Sequence, residues 1–236
     1  MRKNDLVPRK APRQQRSQAM VALILQAAAR VLARDSLAGF NTNRVAEVAG
    51  ISVGSLYQYF PNKSALVTAL IDHAHRDFAA ELDQLIQRVS GLALKPTLHA
   101  VARLAIEQQY ASPVLAAALD HEEKRLPIRD HLQAYGATLL SLVDKLLQRH
   151  VDELAPGLPP AAAADCLTLT KALVEADAEQ GRQPAADLEN RIVRALLGYL
   201  TLPAAHADGS PCATPARRAS ASGVRRSRSR PPAASS

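Results

Sequence analysis

With 236 residues the chain can bury a sizeable core as one large domain or two small ones, and its composition favours helices: 47% apolar residues, rich in Ala and Leu, with only 3% aromatics. Two cysteines, Cys166 and Cys212, exclude a disulfide framework, and neither belongs to a CxxC pair. The net charge of +7 sits at the ends, with six Lys and Arg against Asp5 in residues 1–16 and six Arg against Asp208 in residues 203–236; residues 17–202 hold 17 basic and 20 acidic residues, which excludes a uniformly basic globule and requires any DNA affinity to come from local placement of charge.

Residues 1–16, with Pro8, Pro12, Gln14 and Gln15 among the charges, lack apolar periodicity and read as a flexible basic arm. The following Met20–Leu25 and Ala27–Ala29 imitate a secretory signal, but Gln26, Arg30 and Arg34 interrupt them at helical spacing. Met20, Ile24, Ala27, Ala28 and Val31 instead form one stripe of an amphipathic first helix, expected over Ser17–Asp35 with Ser17 as its cap. No run reaches transmembrane length, and the reading is of a cytoplasmic protein.

After a turn at 36–41, a short helix is expected over Asn43–Ala49, capped by Thr42, with Val45, Ala46 and Ala49 turned inward. Gly50 stops it, Ile51 is buried in the turn, Ser52 caps the next helix at Val53–Phe60, and Pro61 ends that. A long helix from about Asn62 stays amphipathic through Leu66, Leu70, Ala74, Phe78, Leu82, Leu85 and Val89 until Gly91 and Pro96. Helices are then expected at about 97–111, 113–124, 127–154, 160–180 and 185–202. The last is apolar on two faces, as a helix covered by a second subunit would be. From Pro203 the chain is Ala, Ser, Pro and Arg, the composition of a disordered tail.

The order Thr42-Asn43-Arg44-Val45-Ala46-Glu47-Val48-Ala49-Gly50-Ile51-Ser52-Val53-Gly54-Ser55-Leu56-Tyr57-Gln58-Tyr59-Phe60-Pro61-Asn62-Lys63 meets the needs of a helix-turn-helix. Small Ala46 and Ala49 let two helices approach, Gly50 permits the sharp turn, and Ile51 and Leu56 bury the second helix. Its free face offers Val53, Ser55, Gln58 and Tyr59 to a major groove. Three of the eight Phe and Tyr lie between 57 and 60, too many for so short a helix to bury, so Phe60 is assigned to the core and the tyrosines to the surface.

At these residues the sequence resembles the TetR family of bacterial transcriptional regulators, over about residues 17–77; beyond them only helix number and order are similar. The resemblance implies an all-α fold: a three-helix DNA-binding domain at 17–77, with its motif at 41–60, joined by the long helix to a ligand-binding and dimerisation domain at 78–202. It implies that Thr42, Asn43 and Arg44 meet DNA from the first motif helix, Tyr57 and Tyr59 touch phosphates or bases, and Lys63 holds a phosphate. Ser52, Val53 and Gly54 complete the surface, with Ser55 and Gln58 reading base edges. Ser36 stands where the family usually has glycine at the end of the first helix. The function implied is a homodimeric repressor on an inverted-repeat operator in double-stranded DNA, released by a small-molecule effector whose identity the sequence does not give. Candidate pocket residues are polar groups among apolar ones: Glu107, Tyr110, Tyr135, Thr138, Cys166 and Thr170.

Two other classes compete with this reading, a helical enzyme and an architectural DNA binder without a sensor. His121-Glu122-Glu123-Lys124-Arg125 begins as a zinc-protease motif does but has Arg125 where the second ligand belongs, and Asp72, His73, His75 and Asp77 read as an exposed polar face. No nucleophile elbow, phosphate loop or dinucleotide fingerprint occurs, so no catalytic residue, metal or cofactor is expected. Roughly 125 residues of helix after the DNA-binding unit exceed what dimerisation alone needs, which favours a sensor.

Overall fold

The computed structural model describes residues 15–203 apart from Arg182; the expected basic arm before residue 15, the Arg-rich tail from 204 and Cys212 lie outside the described residues. Among the described residues there are nine α-helices and no strand: α1 Gln15–Gly39, α2 Thr42–Ala49, α3 Val53–Tyr59, α4 Lys63–Arg88, α5 Leu94–Tyr110, α6 Pro113–Arg125, α7 Arg129–Arg149, α8 Ala162–Ala178 and α9 Leu188–Thr201, with a single 3₁₀ turn at Val151–Glu153 after α7. None is long and apolar enough to cross a membrane.

The amphipathic stripe of α1 is buried as the spacing requires, through Ile24, Ala27, Ala28 and Val31. Two details differ from expectation. Ser17 lies inside α1 and is not its cap, because Gln15 and Arg16 are good helix formers and extend the helix. At the other end the helical register breaks at Ser36 and resumes to Gly39. Ser36 adopts φ 55°, ψ −175°, a backbone region that L side chains rarely enter, so the turn keeps a glycine-like conformation without the glycine. The return is tight: a Cβ on Gly39 would stand 2.8 Å from Asp35 Cβ.

Pro96, read as a helix breaker, lies within the first turn of α5, where a missing N–H costs nothing because the first four helical N–H groups have no intrahelical acceptor. The stretch expected as one helix over 127–154 ends at Arg149, where His150 leaves the helical path and the 3₁₀ turn follows.

Two apolar cores result. The first gathers α1, α2, α3 and the start of α4, through Ile24, Val31, Val45, Leu56, Phe60, Leu66 and Ile71, and also takes in Ala118 and Leu119 of α6 with Leu126 and Ile128 beyond it. The second is built from Leu82 and Ile86 of α4 with Leu94, Leu98, Leu142, Leu146, Cys166, Val174, Leu188, Ile192, Leu196 and Leu200. The N-terminal three helices are therefore not joined to the body through α4 alone; α6 is packed against α1.

Candidate DNA-binding surface

α2, α3 and α4 each begin after a side chain that accepts an otherwise unpartnered N–H. Asn41 Oδ1 accepts from Arg44 N at 2.9 Å, Ser52 Oγ from Ser55 N at 3.0 Å, and Asn62 Oδ1 from Ala65 N at 2.8 Å. The cap of α2 is thus Asn41 and not Thr42. Thr42 is the first residue of the helix, is buried, and its Oγ1 lies 3.0 Å from the Tyr57 hydroxyl, where it ties α2 to α3. Gly50 closes α2 with φ 67°, the left-handed turn that lets α3 cross α2.

α3 buries Leu56 and leaves the rest of its surface accessible. Tyr57 (39% exposed) and Gln58 stand out from it, with Gly54 exposed and Val53 and Ser55 half-buried. Ser55 Oγ is 2.8 Å from Ser52 Oγ. Tyr59 is half-buried and packs against the first core, while Phe60 is fully buried as expected. Asn43 is exposed on α2 beside Arg44. Lys63, at the start of α4, donates from Nζ to the Phe40 carbonyl at 2.9 Å and stands 5.3 Å from the centre of the Phe40 ring. It therefore fastens α4 to the α1–α2 turn while its side chain stays exposed.

In the body, Tyr110 donates to Asp177 Oδ2 at 2.7 Å, and burial with that carboxylate pushes its hydroxyl pKa up to about 12. Asp177, which also accepts from Ala185 N and Arg191 Nη1, is held below the usual carboxylate range, first by the Tyr110 hydroxyl. Tyr135 stacks on His75. Cys166 is buried, its thiol pushed up to about 11 by desolvation, and Thr170 donates to the Cys166 carbonyl at 2.8 Å. Glu107 and Thr138 are exposed, Thr138 bonding back to the Ala134 carbonyl. Asp72, His73, His75 and Asp77 do not converge on one point: Asp72 pairs with Arg76, His73 with Asp77, and His75, only 16% exposed and so not on the exposed face expected of it, with Glu123 of α6.

Two family models match this architecture. The model for bacterial regulatory proteins of the tetR family covers residues 24–70, and that for the tetracyclin repressor-like C-terminal domain covers residues 93–200. The chain belongs to the TetR family. It is a DNA-binding transcriptional regulator of that family. A TetR-family regulator from Mesorhizobium loti superposes with a TM-score of 0.65 at 20% identity, covering 80% of this chain and all of the other. The fatty acid degradation regulator FadR from Bacillus halodurans gives 0.63 at 19% identity, covering 76% and 98%. The nucleoid occlusion factor SlmA of Haemophilus ducreyi is 26% identical over 126 residues, which span 52% of this chain and 60% of that protein.

Within this TetR-type surface, sequence reasoning missed the acids that neighbour the arginine. Arg44 Nη1 is 2.5 Å from Glu47 Oε2, and its Nε is 3.9 Å from Asp35, which Arg34 also holds at 2.6 Å. The i,i+3 spacing of Arg44 and Glu47 was a visible signal for the first pair. The approach of Asp35 depends on the turn at Ser36 and had none.

Proposed function

We propose that the chain is a homodimeric repressor that binds an inverted-repeat operator and is released from it by a small molecule bound in the body. The observation that carries this reading is the mixed composition of the first core. Leu119, Leu126 and Ile128 come from the body, more than fifty residues beyond the recognition helix, yet they are buried with Ile24, Leu56 and Phe60. A displacement of α6 by a ligand therefore repacks the unit that presents α3, and two recognition helices must match a groove repeat of about 34–36 Å to engage both half-sites. Residues 17–77 then bind DNA and 78–202 sense and dimerise, with α8 and α9 of two subunits forming a four-helix bundle.

In this reading Ser55 and Gln58 choose bases and Tyr57, Tyr59 and Lys63 anchor the DNA backbone, with Asn43, Arg44, Ser52, Val53 and Gly54 completing the surface; Thr42, buried against the Tyr57 hydroxyl, serves it by holding α2 to α3. Glu107, Tyr110, Tyr135, Thr138, Cys166 and Thr170 are the residues we assign to the effector. The test is genome-wide mapping of bound DNA, followed by expression of the adjoining genes with the regulator deleted. Few palindromic sites and a rise in expression support the proposal; expression that falls or stays constant overturns repression. The similarity to SlmA favours a second reading, a protein that acts by occupying chromosomal DNA without a sensor. Many dispersed sites away from promoters would select it.

A further inference from the structure

Thr42 carries a hydroxyl at the edge of the surface assigned to DNA, but the residue is only 9% exposed, so it is not itself the group that meets a phosphate. Nor is its hydroxyl needed as a cap, because Asn41 Oδ1 accepts the Arg44 N–H and the Asn41 carbonyl accepts that of Val45. What it meets is the Tyr57 hydroxyl, 3.0 Å away and fifteen residues on in the chain. Tyr57 is rooted in α3, and its ring reaches from there to the first residue of α2 while the residue stays open to solvent. Tyr59, by contrast, packs against the first core.

We propose that Thr42 is a positioning residue for DNA binding: its hydroxyl donates to the Tyr57 oxygen and so turns the single Tyr57 proton outward, toward a backbone phosphate. The proposal rests on the reading above that Tyr57 anchors the DNA backbone. A phosphate oxygen only accepts hydrogen bonds, whereas each of the two hydroxyls has one proton to give and an oxygen that accepts. In one arrangement Tyr57 donates to Thr42, and a phosphate meets a phenol oxygen with no proton to offer. In the other Thr42 donates to Tyr57, and the phenol proton is free for the phosphate. A bound phosphate selects the second, in which each hydrogen bond of the chain polarises the next. The ring is held in place before DNA arrives, so binding costs it little further freedom; only the two protons turn.

A bond that merely ties α2 to α3 would be lost equally by removing either hydroxyl. Thr42→Val keeps the volume of the buried side chain and removes its hydroxyl, and Tyr57→Phe removes the other one. Both variants lose the same bond in the free protein, and Tyr57, being exposed, can take a water in place of Thr42. Only Tyr57→Phe also loses the proton that a phosphate would accept. The two roles therefore separate when DNA is bound.

The experiment measures equilibrium binding of the full chain to a duplex that it selects from genomic DNA, first unmodified and then with a neutral methylphosphonate replacing one phosphate at a time. On the unmodified duplex Tyr57→Phe should bind about tenfold more weakly than the wild type and Thr42→Val about threefold, with the double variant equal to Tyr57→Phe. At the phosphate that Tyr57 holds, the methylphosphonate should weaken the wild type about tenfold, Thr42→Val about threefold and Tyr57→Phe hardly at all. Thr42→Ser, which restores the hydroxyl, should match the wild type throughout. Urea unfolding without DNA should give Thr42→Val and Tyr57→Phe the same midpoint, below that of the wild type. If the midpoint of Thr42→Val falls lower still, Thr42→Ala, which also lacks the hydroxyl, takes its place. Two failures are distinguishable. If no methylphosphonate position loses its effect in Tyr57→Phe, Tyr57 does not hold the backbone, and the reading beneath the proposal fails with it. If such a position exists but Thr42→Val responds there as the wild type does, or if Thr42→Val and Tyr57→Phe weaken binding equally, Thr42 is a structural tie alone and the positioning role is overturned.

Discussion

The N-terminal unit and the body spend their polar side chains differently. α2, α3 and α4 each start with a local side-chain cap, three residues from the N–H that it accepts. None of α5 to α9 has one. The body uses long-range bonds instead. Both Glu153 oxygens accept from Leu94 N at 2.9 and 3.0 Å across 59 residues, Arg149 donates to the Ile86 carbonyl at 2.9 Å, and His99 meets Glu189 at 2.6 Å. Start signals are therefore written beside the helices that bind DNA, and in the body they arrive only with tertiary structure. A module that must present one fixed surface is specified locally, whereas a body held by cross-links between helices can be rearranged by breaking a few of them.

The largest test of this contrast is Asp177→Ala. It leaves the Tyr110 hydroxyl, the Ala185 N–H and Arg191 without their shared acceptor, and should lower stability by about 3 kcal/mol in urea unfolding at fixed protein concentration. The pH dependence has a definite sign. The folded-state carboxyl is held below its ordinary value, so its contribution is present above about pH 4 and is lost as the pH falls through the depressed value. The gap between wild type and variant should therefore narrow in acid; a gap that is the same at pH 7 and pH 3 would mean that the network does not depend on the carboxylate charge.

A smaller effect is expected from Asn62→Ala, which removes the cap of α4, the helix that begins beside α3. The loss should be about 1 kcal/mol. If the caps are local devices, hydrogen exchange should show the weakening in α4 near its start and not at Leu94 or Ala185, the sites held by distant partners; equal weakening at both would break the comparison.

The same division explains what the sequence disclosed. Gly50, the Ser52 cap, buried Leu56 and Phe60, and exposed Gln58 follow from residues within a turn of one another, and all were legible. So were the number and order of the body helices, from the spacing of Leu and Ile. The Tyr110–Asp177 and Leu94–Glu153 bonds join residues 67 and 59 positions apart, and no periodicity encodes them. The stop at Arg149 was missed because the apolar Val151 and Leu154 continue the pattern of α7 while the backbone turns away.

Ser36 gives a test of similar size and opposite sign. Its φ of 55° with ψ near 180° is a region that glycine occupies without strain, so Ser36→Gly should raise stability by about 1 kcal/mol, after allowance for the greater freedom of glycine in the unfolded chain. The urea midpoint should rise with an unchanged m value. A fall would show that Ser36 is not strained and that the glycine-like turn has another support.

The smallest expected effect concerns DNA directly. Arg44 is engaged by Glu47 at 2.5 Å, and the Glu47 side chain is 66% exposed on the same helix. An exposed i,i+3 pair contributes only a few tenths of a kcal/mol to stability, so Glu47→Gln should leave folding nearly unchanged. Its effect on binding has two parts with the same sign: the guanidinium no longer has to exchange a carboxylate for a phosphate, and a negative charge is removed from a surface that approaches a polyanion. Affinity for any duplex should therefore rise about twofold to threefold at low salt, and the gain should shrink as salt is added. Glu189→Gln, in the body beside His99 and Arg103, changes the net charge equally and controls for that change alone. If both variants gain the same affinity, the effect is global charge; if only Glu47→Gln gains, the carboxylate at Arg44 moderates contact with DNA.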